Sequence, residues 1–190
     1  MRATATKRLF EVSPTASQVL SRSAWIVFYA LATALAAQVK IPLPGTLVPM
    51  TLQTAIVLLA GLHLGAGGGA ISQLLYISGG VLGLPFFAGG TAALLGPTGG
   101  YLIGFVLAAW TLGFFKRWSG KIFIHGESFI ALWLMTFAAS IVLFVPGVIQ
   151  LKYVTVSTWE TAFAMGVVPF IIGDLLKVSL TVSIYRLTRR

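Results

Sequence analysis

The stretch GLPFFAGGTAALLGPTGGY, residues 83–101, contains six glycines and two prolines within nineteen residues. Glycine permits unusual backbone angles, and proline fixes φ and lacks a backbone donor, so this segment predicts an irregular connection rather than a helix. Long apolar runs flank it on both sides. Backbone groups cannot stay unpaired in hydrocarbon, so irregular chain at membrane depth must be buried in protein or line a cavity. We therefore predict that the segment forms the wall or lid of a cavity; the alternative is a turn exposed to water.

The rest of the chain has the composition of an integral membrane protein. Of its 190 residues, 57% are hydrophobic and only 9% are charged, and the mean hydropathy is +0.95. A soluble domain carries roughly 25% charged residues. The net charge of +9 would suggest nucleic acid in a soluble protein, but here the basic residues lie at the edges of apolar runs. We expect the chain to contact a lipid bilayer and no nucleic acid.

Six apolar runs are candidates for transmembrane helices, which need about 20 mostly apolar residues each. They cover residues 23–39, 51–64, 66–82, 98–115, 128–150 and 160–187. Only GLHLGAGGG (61–69) separates the second run from the third, which predicts a tight hairpin. The sequence thus predicts an all-α integral membrane protein, with a tail over residues 1–22 and one six-helix membrane domain over residues 23–190. Five or seven helices are the alternatives. The first run lacks a convincing cleavage site, so we expect a retained helix rather than a signal peptide.

The basic residues are distributed asymmetrically about these helices. With both termini in the cytoplasm, ten of them lie inside, two lie outside and Lys177 lies within the last helix. The inside set is Arg2, Lys7, Arg8, Arg22, Lys116, Arg117, Lys121, Arg186, Arg189 and Arg190, and the outside set is Lys40 and Lys152. An even number of helices satisfies this positive-inside bias. It also places two connections outside: the proline-containing KIPLPGTLVPM (40–50), which predicts an extended loop, and the glycine-rich segment 83–100.

The last helix contains the most informative polar pair. Asp174 and Lys177 lie three residues apart in VVPFIIGDLLKVSLTVSIYR (167–186), so they share one helix face. Each charge near the bilayer centre costs roughly 2.5–3.5 kcal/mol, which makes such residues rare and usually functional. Together they offer acceptors and donors to a small ligand that has N–H groups and a carbonyl or carboxylate. The alternative is an ion pair that only stabilises helix packing.

Other polar and small side chains within the apolar runs allow two interpretations. Gln53, Gln73 and Tyr76 either contact a ligand or form hydrogen bonds between helices. The first helix carries a stripe of small residues, which serves either internal packing or contact with another membrane protein. Its members are Ala30, Ala32, Ala34 and Ala36.

Several classes of function are disfavoured by what the sequence lacks. It has no cysteine, and His63 and His125 have no partners at metal-ligand spacing, so we expect no metal site. The single Gly-Lys pair, Gly120–Lys121, is followed by Ile122 and not by Ser or Thr, so no phosphate-binding loop for ATP is present. No H-E-x-x-H or G-x-S-x-G motif indicates an enzyme. We expect a protein that binds without catalysing and that needs no cofactor.

Four motifs together resemble the BioY family, the biotin-specific S components of energy-coupling factor (ECF) transporters. They are GLPFFAGG (83–90), LLGPTGGYLIGF (94–105), VPMTLQTAIVLLAG (48–61) and GDLLK (173–177). The resemblance covers residues from about 45 to 180. It implies the ECF S-component fold of six helices, with biotin held near the external face beneath the loop over residues 40–50. It also implies partners: a transmembrane coupling subunit, docked on the alanine stripe, and two ATPase subunits in a bacterial plasma (inner) membrane.

The resemblance further implies which residues meet biotin. Asp174 and Lys177 match the family's D-x-x-K and are expected at the polar parts of the ligand, with Asp174 accepting from the ureido N–H groups. Lys177 then donates to the ligand or holds Asp174 charged and oriented. The remaining contacts are expected from Gln73, Tyr76, Gln53, Thr91, Phe87, Gly99 and Tyr101. The alternatives are an S component for another small vitamin or heterocycle, and a small membrane channel or packing subunit.

Overall fold

The computed structural model describes residues 15–122 and 128–189 and shows an all-helical protein. The helices are α1 Ala16–Gln38, α2 Gln53–Val81, α3 Gly99–Ile122, α4 Phe129–Thr155, α5 Trp159–Gly166 and α6 Ile171–Thr188. Two 3-10 turns, Thr91–Leu94 and Val168–Phe170, and two short strands, β1 Lys40–Ile41 and β2 Met50–Thr51, complete the elements of the described residues. Predictions that concern Arg2, Lys7, Arg8, His125, Arg190 and the side chain of Lys121 fall outside the described part.

Five helical stretches in the described residues are long and apolar enough to cross a membrane. They are Ala16–Gln38, Gln53–Val81, Gly99–Ser119, Phe129–Val154 and Trp159–Thr188. The last of these combines α5, a 3-10 turn and α6, because Pro169 lies in the turn and cannot donate the hydrogen bond of a continuous helix. The sequence predicts one span over residues 160–187, in which Pro169 can bend the helix, and the structure shows one apolar stretch interrupted at Pro169.

Helix α2 reverses its direction at Gly65. This residue has φ 72° and ψ −177°, a conformation that glycine adopts at little cost. The side-chain amide of Gln53 donates to the hydroxyl of Tyr76 at 2.7 Å, although a straight helix would separate residues 23 apart by about 34 Å. A Cβ atom on Gly69 would lie 3.0 Å from Cα of Gly61. Residues 53–64 and 66–81 are therefore two tightly packed antiparallel helices, the hairpin that the sequence predicts.

Helix α1 begins earlier than the sequence predicts. Its first residue is Ala16, which lies inside the predicted tail of residues 1–22. Gln18 Oε1 accepts from the backbone amide of Thr15 at 3.1 Å and so satisfies one group at the start of the helix. Hydropathy locates the apolar run that starts near residue 23, and a helix can extend beyond such a run through polar residues.

The two irregular connections meet at one end of the molecule. Strands β1 and β2 pair as Lys40 with Thr51 and Ile41 with Met50, so they close the loop over residues 40–50 into a hairpin. The ammonium of Lys40 donates to the carbonyl of Ala88 at 3.3 Å, which joins this loop to the glycine-rich segment. At the opposite end, beside the Gly65 reversal, His63 is hydrogen-bonded to Tyr29 of α1 and to Thr188 of α6.

Candidate ligand-binding site

A cavity of about 420 Å³ lies beneath the two joined connections. Its lining comes from the loop at 47–51, from the glycine-rich segment at 87–89, 92–93 and 96–98, and from side chains of α2, α3, α4 and α6. Its volume lies within the range of roughly 300–1,000 Å³ that small-molecule sites occupy. The predicted cavity wall is thus present, and the glycine-rich segment forms part of it.

Polar side chains from α2 and α6 line one part of the cavity. Lys177 is 9% exposed, and its ammonium donates to Thr54 Oγ1 at 3.3 Å. An ammonium has three N–H donors, so this single recorded acceptor leaves capacity for a ligand. Gln53 is satisfied on both sides, because Thr51 donates to its carbonyl oxygen at 3.1 Å and its amide donates to Tyr76.

Asp174 lies behind Lys177 rather than on the lining of the cavity. Its Oδ2 accepts from Ser140 Oγ of α4 at 2.7 Å, and its Oδ1 is buried without a hydrogen-bond partner. The carboxylate is 3% exposed. The positions differ from those predicted: Lys177 is on the lining, where it can donate to a ligand, and Asp174 contacts Ser140 behind it instead of reaching the cavity to accept from the ureido N–H groups.

Aromatic side chains form the apolar walls. Phe87 lies over Gly80, where a Cβ atom would overlap its ring, and its ring centroid is 5.6 Å from that of Tyr76 in an edge-to-face arrangement. Phe105 and Phe170 line other parts of the cavity. Tyr101 also lines it, with its hydroxyl donating to the carbonyl of Gly166 at 2.8 Å. The walls can therefore enclose a ligand with an apolar body.

An amide from α4 fixes the glycine-rich wall from behind. Gln150 Nε2 donates to the carbonyls of Leu94 and Gly96, each at 2.8 Å. Thr98 Oγ1 donates to the carbonyl of Ala93 at 3.1 Å within the same segment. These three backbone carbonyls have no partner in a regular helix, and side chains supply their hydrogen bonds instead.

The structure brings five of the nine predicted ligand contacts to the cavity and leaves four elsewhere. Those on the lining are Lys177, Gln53, Tyr76, Phe87 and Tyr101. Asp174 lies behind the lining, as described. Gln73 points between helices, where its amide donates to Ser72 at 3.1 Å and to Thr33 of α1 at 3.4 Å.

The other two predicted contacts belong to the glycine-rich segment and its end. Thr91 is exposed at the start of the 3-10 turn. Gly99 is buried beneath Leu94 and Gln150, and a Cβ atom there would overlap the Leu94 carbonyl. Neither residue is on the lining of the cavity. The absence of a side chain at Gly99 allows the start of α3 to pack directly against the Leu94 carbonyl and the Gln150 side chain.

The alanine stripe of α1 lies largely inside the chain. Ala30, Ala34 and Ala36 are buried, and Ala32 is half-buried. Ala30 and Ala34 pack in the hydrophobic core of the protein, so internal packing accounts for these two alanines. Large apolar side chains occupy the exposed side of the same helix, among them Trp25, Phe28, Leu31 and Leu35.

Several lining residues were not predicted from the sequence. Thr54 directly follows Gln53, and its contact with Lys177 links α2 to α6. Val48 and Met50 enter the cavity from the loop, and Lys40 lies on the lining while exposed to solvent. Lys40 carried a usable signal, since it is a charged residue at the start of the proline-containing loop over residues 40–50.

Comparison with known proteins gives consistent results. A family model described as the BioY family matches residues 6–190. A probable biotin transporter BioY of Lysinibacillus sphaericus is 53% identical over 91 residues, which span 47% of this chain and 45% of that protein. A second, of Pyrococcus horikoshii, is 35% identical over 163 residues, covering 84% of this chain and 90% of that protein. The crystal structure of the S-component for biotin from an ECF-type ABC transporter superimposes with a TM-score of 0.84 at 28% identity, covering 93% of this chain and 95% of that one.

Proposed function

The chain belongs to the BioY family, and we propose from this that it is the biotin-binding S component of an ECF transporter. It is a multi-pass membrane protein that takes part in biotin uptake and is not an enzyme. The observation that carries the proposal is the cavity: a buried ammonium, Lys177, with one protein acceptor lines a space walled by aromatic rings. Such a space suits a ligand with an apolar body and a polar acceptor.

Biotin has the chemistry that this cavity offers. Its ureido ring presents a carbonyl acceptor and two N–H donors, its fused sulfur ring and valerate chain are apolar, and the chain ends in a carboxylate. Lys177 supplies donors to the ureido carbonyl, and the rings of Phe87 and Phe105 cover the apolar body. The N–H groups are left to acceptors on the lining, such as the second lone pair of the Gln53 carbonyl, the Thr54 hydroxyl and backbone carbonyls of the glycine-rich segment.

We propose six membrane spans with both termini in the cytoplasm. The halves of α2 on either side of Gly65 supply the second and third spans, and the stretch Trp159–Thr188 supplies the sixth. The end with the Gly65 reversal carries Lys116, whose ammonium donates to the carbonyl of Leu62, and Arg189, which lies over the Tyr185 ring. Basic residues at that end support a cytoplasmic orientation for it, and in this proposal the cavity opens on the external side.

Binding of biotin to the purified protein tests the proposal. We expect saturable binding of labelled biotin by the protein in detergent, with competition by unlabelled biotin and not by other vitamins. Binding of a different vitamin in preference to biotin would mean that the protein is an S component with that vitamin as its substrate. Absence of any binding at micromolar biotin would contradict the proposal.

The proposed partners are a transmembrane coupling subunit and two ATPase subunits in a bacterial plasma membrane, with inward release of biotin driven by ATP. For docking of the coupling subunit we propose the side of α1 around Ala32, the half-buried member of the stripe. Uptake of labelled biotin by a biotin-requiring bacterial host, with and without co-expressed coupling subunits, measures this dependence. Equal uptake in both cases would contradict a need for the partners.

Replacing Gln150 with leucine should weaken biotin binding about tenfold, because two carbonyls of the cavity wall lose their donor. Isothermal titration of the variant and the wild type with biotin measures the change. Gln38→Leu is the matched control, because Gln38 donates to the Pro85 carbonyl of the same segment at 3.1 Å from an exposed position outside the cavity. Equal affinities of the Gln150 variant and the wild type would show that the wall keeps its shape without this amide.

A further inference from the structure

We propose that Lys40 binds the carboxylate of the ligand, so that the acid end lies at the mouth of the cavity and the ring end lies against Lys177. The inference rests on the proposed function and assigns the direction in which biotin enters. The two lysines on the lining differ in depth, since Lys40 is exposed and Lys177 is buried. Their chemistry is the same, so depth decides which end of the ligand each one meets.

The ammonium of Lys40 has capacity for an anion. The structure gives it one acceptor, the Ala88 carbonyl at 3.3 Å, and an ammonium has three donors. The acids among the described residues are Glu160 and Asp174, and neither forms an ion pair with Lys40. An unneutralised cation on the rim of the cavity thus faces any carboxylate that enters.

The electrostatics of the buried end argue against a carboxylate there. Asp174 already places one negative charge beside Lys177, and its Oδ1 has no hydrogen-bond partner. A ligand carboxylate at Lys177 would bring a second anion, without its water, close to the first, and such like-charge contacts are costly in a dry site. A neutral ureido carbonyl accepts from the same ammonium without adding charge. At Lys40 a carboxylate keeps part of its hydration, so its desolvation costs less.

The position of Lys40 is fixed from two sides. Its backbone pairs with Thr51 in the β1–β2 hairpin, two residues before Gln53 on the cavity lining. Its side chain reaches across to the glycine-rich segment at Ala88. Lys40 therefore belongs to one of the two connections that cover the cavity and binds the other, at the point where the tail of a bound acid would emerge.

Comparison of biotin with its neutral carboxamide tests this assignment. The wild type should bind biotin about tenfold more tightly than biotinamide, because only the acid makes the charge-assisted contact. In Lys40→Gln this preference should disappear: biotin affinity falls about tenfold while biotinamide affinity stays within about twofold. Retained binding of biotinamide also shows that the variant is folded.

Two further variants complete the experiment. Lys152→Gln removes the same charge from the same end of the molecule, where Lys152 lies over Tyr153 and Trp159 and outside the cavity, so its preference should match the wild type. Lys40→Arg keeps the charge and should retain most of the preference.

Two results with Lys40→Gln would overturn the assignment. Equal weakening of the binding of both ligands would show that Lys40 only joins the two connections. An unchanged preference for biotin would show that the carboxylate binds elsewhere. If the wild type binds neither ligand, the proposed function itself fails, and this inference falls with it.

Discussion

Replacing Lys177 with methionine should lower biotin affinity about a hundredfold, close to 3 kcal/mol of binding free energy. The variant loses the buried donor that lines the cavity and leaves the carboxylate of Asp174 without a counter-charge. Titration of the purified variant with labelled biotin measures the loss, and the melting temperature of the same sample reports its folding. Affinity within about twofold of the wild type would show that the lysine only stabilises helix packing.

Lys116→Met is the matched control for that variant. Lys116 is another lysine on a long apolar helix and is half-buried, but its ammonium donates to the Leu62 carbonyl at the end opposite the cavity. We expect unchanged biotin affinity from it, whatever its effect on melting. The double variant Asp174→Asn/Lys177→Met separates the two roles further. Removing both charges should restore part of the lost stability, because no unpaired charge stays buried, while biotin binding stays weak.

The sequence predicts the presence of these two charged residues better than their geometry. Two charges in an apolar run are conspicuous, so both residues could be identified. A spacing of three residues still leaves side chains about 60° apart around a helix. That angle is enough for Lys177 to line the cavity while Asp174 contacts Ser140 of α4. Which of them faces the ligand depends on where α4 packs, and the local sequence does not contain that information.

The amides illustrate the same limit. Gln53 and Gln73 lie in apolar surroundings on the two halves of one hairpin, and the sequence treats them alike. The structure turns Gln53 toward the cavity and Gln73 toward Thr33 of α1. Gln150 was not predicted at all, although it is a single amide in an otherwise apolar part of α4. Its partners are backbone carbonyls 54 and 56 residues away, which only the tertiary fold brings near.

The irregular segments were more predictable, because their composition limits what they can do. A stretch this rich in glycine and proline disfavours a continuous long helix, and an apolar environment does not tolerate an irregular chain unless its backbone is paired. The structure supplies that pairing through Gln150, Thr98 and Lys40. The Gly65 reversal was predictable for a similar reason, because a cluster of glycines separates two apolar runs and leaves only a short connection between them. Helix ends were less predictable, since hydropathy marks the apolar run and not the helix.

Replacing Gly100 with alanine should destabilise the protein by about 3 kcal/mol, the upper end of the usual cost of overpacking. A Cβ atom at this position would overlap the carbonyl oxygen of Pro146, which belongs to the backbone of α4 and cannot rotate away as a side chain could. Helix α3 would have to move from α4, and with it Tyr101 and Leu102 of the cavity lining. We therefore expect a lower melting temperature in detergent together with weaker biotin binding.

Gly67→Ala is the control that isolates this contact. Gly67 also lies within a helical segment, and a Cβ atom there would meet nothing within 4 Å. Alanine is better than glycine in a helix by roughly 0.5–1 kcal/mol, so the melting temperature of this variant should stay the same or rise slightly. Equal melting temperatures for the two variants would mean that α3 and α4 are not in backbone contact at Gly100. In that case the glycines of the motif LLGPTGGYLIGF would act through chain flexibility and not through the close approach of two helices, and the rigid wall that Gln150 and Tyr101 build on this contact would lose its support.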